Sequence, residues 1–211
     1  VLTCPASVTI ECDESTLPAF TGMASATDAC DNSVTITYDD SITAGDCPQE
    51  MLITRVWTAA NSCGNTSSCT QLITVVDTTP PTFDPECQLV FDFYTSDGSD
   101  CPSVAEISLQ VGQIVGENQG WFAGGNAIPS LNNCLFDNCT PADSLVARVD
   151  SISVTGDSCD LSIAVYFTII DQCGNESVDQ FECIVNIHDD VAPVLTCPAS
   201  VTIECDESTL P

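Results

Sequence analysis

Lysine is absent from the 211 residues, and Arg55, Arg148 and His188 are the only basic side chains against 31 aspartates and glutamates, for a formal charge of -29. A surface of that sign repels nucleic acid and anionic membranes, so neither is expected as a partner. Apolar runs long enough to cross a bilayer are missing, as is a signal-peptide pattern. No direct membrane insertion is expected in this segment, and secretion and anchoring signals are expected elsewhere. With a single histidine, placed in a late strand-like run, there is no Ser-His-Asp set, and no cofactor loop is present. The expectation is a protein without enzymatic activity. Paired carboxylates hydrolyse glycosides in other settings, but nothing selects a pair among these 31. Helix-period patterns with caps are lacking too.

What is present is repetition. Residues 1 to 18, VLTCPASVTIECDESTLP, recur unchanged at residues 194 to 211, a period of 193. A fibre, stalk or adhesin gains length by such copying, so the chain reads as one period of an array plus the start of the next. Polyanions are often disordered, but 44% hydrophobic content rich in Val and Ile supplies a core. Short β-branched runs recur (SVTIEC, SVTITYDD, MLITRVWTA, QLITVVD, SLVARVDSISV, LSIAVYFTII, FECIVNI), separated by Gly, Asn, Asp and Pro clusters. This predicts an all-β chain of antiparallel, immunoglobulin-type sandwiches. Fifteen cysteines without zinc-ligand spacing indicate disulfides and hence an extracellular or cell-surface location.

Two proline punctuations, DTTPPTFDP at residues 77 to 85 and DDVAP at 189 to 193, mark module boundaries. The expected domains are a first module at 1-79, a second at 80-193 with an insertion at about 103-136, and the start of the next repeat at 194-211. The modules look related: Cys63, Gly64 and Asn65 correspond to Cys173, Gly174 and Asn175, and Asp28, Ala29 and Cys30 to Asp137, Asn138 and Cys139. Asp46 and Cys47 correspond roughly to Asp157 and Cys159.

The succession CPASVTIEC, ATDAC, GDCP, ITRVWTAANSCGN, SSCTQLITVVD and TTPP resembles the hyalin-repeat (HYR) modules. These are immunoglobulin-like units found in tandem in giant surface proteins of Bacteroidota. The likeness covers residues 1 to 79 closely and 80 to 193 loosely, with Asn61 where the family usually has Asp. It implies adhesins and filaments at the cell surface, often exported by the type 9 secretion route, and no catalysis.

The family pattern further implies that Cys4 pairs with Cys69, stapling the first strand to the last. In the first module Cys12 is then expected with Cys30 and Cys47 with Cys63, although the sequence leaves connectivity among six cysteines open. By analogy the second module pairs Cys87 with Cys183 and Cys159 with Cys173, and Cys101 takes Cys134 or Cys139. Thirteen cysteines per period leave one over. It is a buried free thiol, a crosslink between chains, or a bond across periods.

In an immunoglobulin sandwich the chain enters at the end that carries two of the loop pairs and leaves at the other, so a linker acid sits beside the next module's loops. Asp77 would meet Asp137 and Asn138 of one loop and Asp171 and Asn175 of another. Asp189 and Asp190 would meet Asp28, Asp31 and Asn65 of the next copy. Carboxylate and amide oxygens converging from three segments suit Ca²⁺ as a structural ion at the junctions. The competing reading is that these are turn formers and solubilising charge. With no lysine to pair them, close-packed acids require bound or diffuse cations.

Trp121 and Phe122 lie in a glycine-rich insertion, either as a contact point for a neighbouring filament strand or a glycan, or as a cap on their own core. Trp57, Ile53 and Ala59 are expected to face the first core, and Val165, Phe167 and Ile169 the second. Arg55 stands where the second module has Val165, so an inward guanidinium needs a carboxylate or carbonyl partner. Ser41, Ser144, Ser151 and Thr78 fit the Bacteroidota O-glycan motif. The expected function is the structural repeat unit of a long adhesive or appendage filament, transmitting force and displaying a distal adhesive end. Repeated lateral contacts are expected to build a homo-oligomer or multi-chain filament. The alternative is a carbohydrate- or protein-binding module of a secreted multidomain protein.

Overall fold

The computed structural model describes residues 1–84, 87, 89–94, 107–116, 119–123, 126–128, 134–157, 160–197, 199 and 200. Residues 1 to 83 carry β1 (Leu2–Thr3), β2 (Val8–Glu11), a short helix α1 (Pro18–Thr21), β3 (Ser25–Ala26), β4 (Thr35–Ala44), β5 (Met51–Ala60), β6 (Thr66–Val76) and β7 (Thr82–Phe83). Beyond them come β8 (Val90–Tyr94), β9 (Ile114–Gly116), β10 (Trp121–Ala123), β11 (Asn126–Ile128), β12 (Leu135–Phe136), β13 (Val146–Gly156), β14 (Asp160–Ile170) and β15 (Phe181–His188). The chain is all-β and its architecture is that of immunoglobulin-like sandwiches with disulfides.

Two large sheets dominate, one ordered β2-β6-β5-β4 and the other β8-β15-β14-β13-β9. Each is faced by a two-stranded ribbon, β1-β3 in the first case and β7-β12 in the second. The period-two alternation read from the sequence sets what is buried. In β5, Ile53, Trp57 and Ala59 point inward with Arg55 between them, and in β14, Leu161, Ile163, Val165, Phe167 and Ile169 form the buried row. The first core is small, gathered round Ile53, Ile73 and Val75, whereas the second is larger and includes Val115, Trp121 and Leu135.

One departure concerns strand direction. The sequence reading expected antiparallel sheets throughout, but β2 runs parallel to β6 and β8 parallel to β15. A strand that enters a module and lies beside the last one must run with it when the chain passes through the module from end to end. The insertion is also more integral than expected. Its β9 extends the second large sheet through β13, and Trp121 is buried in the second core. Trp121 therefore acts as a core cap and is not exposed for a partner, which corrects the contact-point reading; the Phe122 side chain lies outside the described residues. Among the described residues no helix is long and apolar enough to cross a membrane.

Candidate metal centre where the two sheets meet

Three chain segments converge where β6 ends. Asp77 follows β6 directly, Asp137 follows β12, and Asp171 follows β14. Asp137 and Asp171 are held by the same local device, in which the first carboxylate oxygen caps the turn that follows it. Asp137 Oδ1 accepts from the amides of Cys139 (2.8 Å) and Thr140 (2.6 Å). Asp171 Oδ1 accepts from Cys173 (2.8 Å) and Asn175 (2.7 Å). The Asn175 amide group donates to Asp171 Oδ2 at 2.7 Å and to the Asp77 carbonyl at 2.9 Å, binding the linker to the loop.

One carboxylate oxygen from each of Asp77, Asp137 and Asp171 lies within 4.8 Å of the others. Two oxygens bound to one calcium ion stand at most about 5 Å apart, since each lies roughly 2.3–2.6 Å from it. The buried Oδ2 atoms of Asp77 and Asp137 have no hydrogen-bond partner in the structure. Asp77 itself is only 3% exposed. A buried anionic oxygen without a donor is costly, and no guanidinium comes to its aid. Arg55 pairs with Asp40, and Arg148 with Asp150 and Glu176. Burial, followed by the charges of Asp171, Asp137 and Glu11, pushes the Asp77 carboxyl up to about 6. The donor set is all hard oxygen and the orphaned atoms face one another's charge, so the residues fit a calcium ion.

The structure thus gathers Asp77, Asp137, Asp171 and Asn175. Asp28 and Asp31 lie at the opposite end of the first module, where Asp31 Oδ2 accepts from the Ser62 amide at 2.6 Å, and that amide holds the Asp31 carboxyl below its usual range. Asp189 and Asp190 are exposed beyond β15. Their expected meeting with Asp28, Asp31 and Asn65 concerns a following copy, whose residues 201 to 211 lie outside the described residues. Sequence reasoning missed Glu11. It ends β2 beside the site, accepts from the Thr78 amide at 3.1 Å and from the Thr78 hydroxyl, and belongs to a second acidic group with Asp77. Its only signal is its place next to Cys12, at the exit end of the strand.

The cysteines explain why these segments stay together. Cys4 bonds to Cys69, as the hyalin-repeat pattern implied, but two other bridges cross from the first module to the second. Cys12 bonds to Cys139 instead of Cys30, and Cys47 bonds to Cys173 instead of Cys63, each with its Cα atoms within 6 Å of its partner's. The physical reason is proximity at the joint. Cys12 leaves β2 beside Asp77, while Cys139 and Cys173 sit in the two Asp-capped turns. Cys173 is therefore unavailable to Cys159.

Cys87 bonds to Cys134 instead of Cys183, which takes Cys134 from Cys101; Cys139 is taken by Cys12. Cys101 and Cys159 lie outside the described residues. The Cys183 correction has a register cause. Trp57 opposes Cys69 in the first sheet, and its counterpart Phe167 opposes Phe181 in the second, so Cys183 aligns with Gln71 and points into the core. Cys183 is fully buried and unpaired, with burial pushing its thiol up to about 12. The buried free thiol is thus the alternative realised at this position. Cys30 and Cys63 are exposed and free.

No family model and no curated protein matches the chain. Among solved structures it is similar to Drosophila N-cadherin EC1-4, with a TM-score of 0.36 and 10% identity over 89% of this chain and 48% of that one. It is also similar to the human Desmocollin-1 ectodomain, with a TM-score of 0.26 and 14% identity over 89% of this chain and 39% of that one. The chain spans less than half of either structure, and likenesses at those scores assign no family.

Proposed function

We propose that the chain is a structural repeat unit of an extracellular adhesive or appendage filament, without catalytic activity, whose joints are stiffened by disulfides and calcium. The observation that carries this reading is the joint itself. Two disulfides span it, and a buried acidic triad with orphaned oxygens sits between them. A protein that only needed two independent sandwiches would need nothing across the joint beyond its proline segment. Copying at 193-residue spacing turns one stiff joint into a long, tension-bearing thread. The hyalin-repeat resemblance agrees with this reading, as do the four disulfides among the described residues, which suit an oxidising extracellular setting. The burial of Trp121 weighs against a carbohydrate-binding module, which needs an exposed aromatic platform. Electron micrographs of the secreted full-length protein are expected to show threads; dispersed compact particles would overturn the filament reading.

Asp77, Asp137 and Asp171 would hold the ion, with Asn175 bracing the loop. The ion would supply the positive charge that three carboxylates within 4.8 Å lack. Calcium at a hundredfold excess over its dissociation constant is expected to stabilise the fold by about 2.7 kcal/mol. Thermal unfolding with and without EGTA measures this. An unchanged midpoint removes structural calcium, and Asp77→Asn together with Asp171→Asn should abolish the response.

The pH dependence follows from Asp77. Its carboxyl, ordinarily near 3.8, sits at about 6 in the ion-free fold. Its proton therefore stabilises that fold below the ordinary value, and this contribution is lost as pH rises through 6. Proton and cation compete for the same oxygens. The calcium-induced rise in midpoint is expected to be larger at pH 7.5 than at pH 5, and equal shifts would remove Asp77 from the ligand set.

A further inference from the structure

The exit of the first module is bonded to the second, whereas its entry carries two exposed, unpaired cysteines, Cys30 and Cys63. They stand where Cys139 and Cys173 stand at the entry of the second module, and the turns that carry them match bond for bond. The Cys30 amide donates to Asp28 Oδ1 at 2.9 Å, as the Cys139 amide donates to Asp137 Oδ1 at 2.8 Å. Asn61 Oδ1 accepts from Cys63 (3.2 Å) and Asn65 (2.9 Å), as Asp171 Oδ1 accepts from Cys173 and Asn175. Gly64 and Gly174 both take left-handed φ, at 83° and 89°, which glycine adopts without the penalty a side chain would bring. The socket that receives Cys12 and Cys47 in the second module is therefore built a second time, at the entry of the first, and left unfilled by this chain. A cleft lined by Val1, Asp28, Asn61 and Asn65 opens at the same end.

We propose that Cys30 and Cys63 are the receiving halves of a second pair of cross-module disulfides, made to the second module of the preceding period, so that every joint of the fibre carries two bridges. This rests on the array reading above. The cysteine count closes on it. The four described bridges take eight of the thirteen cysteines in a period, and Cys183 is sealed in the core. Apart from Cys30 and Cys63 there remain Cys101 and Cys159. By sequence, Cys101 comes seven residues after β8 where Cys12 directly follows β2, and Cys159 stands in the β13–β14 connection as Cys47 stands in the β4–β5 connection. The neighbouring loops of Cys30 and Cys63 touch, with the Ser62 amide donating to Asp31, yet the two thiols are not bonded to each other. Each new bond forms by thiol–disulfide exchange. Two thiols lose two protons and two electrons to an external disulfide donor, which leaves as a dithiol.

The test uses the secreted full-length protein, alkylated with N-ethylmaleimide in denaturant and digested without reductant. Peptides bearing Cys30 and Cys63 are expected linked to peptides bearing Cys101 and Cys159, from material that runs at single-chain mass on a non-reducing gel, with Cys183 alkylated. Alkylated Cys30 and Cys63, a bond between the two, or links that appear only in multi-chain bands would each overturn the proposal. Micrographs of the same sample separate the two failures. Threads lacking these links sink the disulfide proposal alone, and dispersed particles sink the array reading beneath it.

Discussion

Replacing Cys12, Cys47, Cys139 and Cys173 together by serine is expected to split the thermal unfolding of this chain into two transitions and to lower the first. The two bridges close loops of 127 and 126 residues. Chain entropy alone assigns about 4.7 kcal/mol to a 100-residue closure, and measured losses of native bridges run at about 2–5 kcal/mol. The second bridge adds less than the first, because the first has already confined its ends. Each large sheet keeps its own core and its own internal bridge, Cys4–Cys69 in one and Cys87–Cys134 in the other. With the cross-links gone, nothing covalent beyond the proline segment makes the two cores melt as one, and cooperativity across the joint is lost. The smaller first core, built on Ile53, Ile73 and Val75, should melt earlier. Calorimetry on the quadruple variant checks this. A single transition at the original midpoint would show that the bridges do not couple the modules. Removing all four sulfurs leaves no reactive thiol at the joint to confuse the result.

The same bridges change what the acidic cluster does. In a flexible joint, three carboxylates repel and the linker swings away. Here Cys12–Cys139 and Cys47–Cys173 hold the segments in place, so burial, followed by the neighbouring charges, raises the Asp77 carboxyl. On the proposed reading disulfides and calcium would act on one coordinate, the first fixing the geometry and the second relieving the charge that this geometry concentrates. Loss of the bridges should weaken calcium binding as well, because the ligands then have to be assembled at an entropic cost.

The alternation of MLITRVWTAA and LSIAVYFTII was enough to place Trp57, Ile53, Ala59, Val165, Phe167 and Ile169 inside, because a half-buried strand leaves a period-two imprint that tertiary context seldom erases. The convergence of Asp77 with Asp137 and Asp171 was legible for a related reason. Asx turns and a linker acid have local signatures, and a sandwich entered at one end and left at the other brings them together. Cysteine connectivity was not legible. Cys30 and Cys139 sit in turns of the same kind, yet Cys139 bonds to Cys12 of the first module and Cys30 is free, so nothing within either module distinguishes them. Cys183 was misread by analogy, as the last-strand cysteine of the second module. The ladder gives Phe181 the place of Cys69, opposite Phe167 as Cys69 is opposite Trp57, and leaves Cys183 in the place of Gln71. Glu11 was hidden by numbers, as one of 31 acids.

Substitution of Arg55 by methionine is expected to destabilise the first module by about 3–5 kcal/mol, the range for breaking one side of a buried ion pair. Arg55 is 1% exposed, and its guanidinium grips Asp40 through two bonds, from Nε at 2.8 Å and Nη2 at 2.9 Å. It also donates to the Thr16 carbonyl at 2.8 Å and the Thr21 hydroxyl at 3.0 Å, and it lies 4.6 Å from the Tyr38 ring centre. These bonds pin the α1 segment, whose Leu17 and Phe20 are exposed, onto the sheet. Gln71 completes the network, accepting from the Trp57 indole at 3.2 Å and donating to the carbonyls of Ala6 and Thr21. Because Asp40 is 28% exposed in its side chain, water recovers part of the loss and the lower half of the range is favoured.

The second module carries Ile152, Val165 and Cys183 at the matching cross-strand positions, an apolar answer to the same geometry. Installing that answer through Asp40→Ile, Arg55→Val and Gln71→Cys should recover part of the stability lost in Arg55→Met, since no buried charge is left behind. It should not recover all of it. The Thr16 carbonyl would still lack a partner, and the change at Gln71 also takes the partners of the Ala6 and Thr21 carbonyls and of the Trp57 indole. Urea unfolding of the single and triple variants decides the matter. Full recovery by the triple variant would mean that the network stabilises nothing beyond its own charges, and a triple variant no better than Arg55→Met would mean that the backbone contacts to α1, and not the ion pair, hold the first module together.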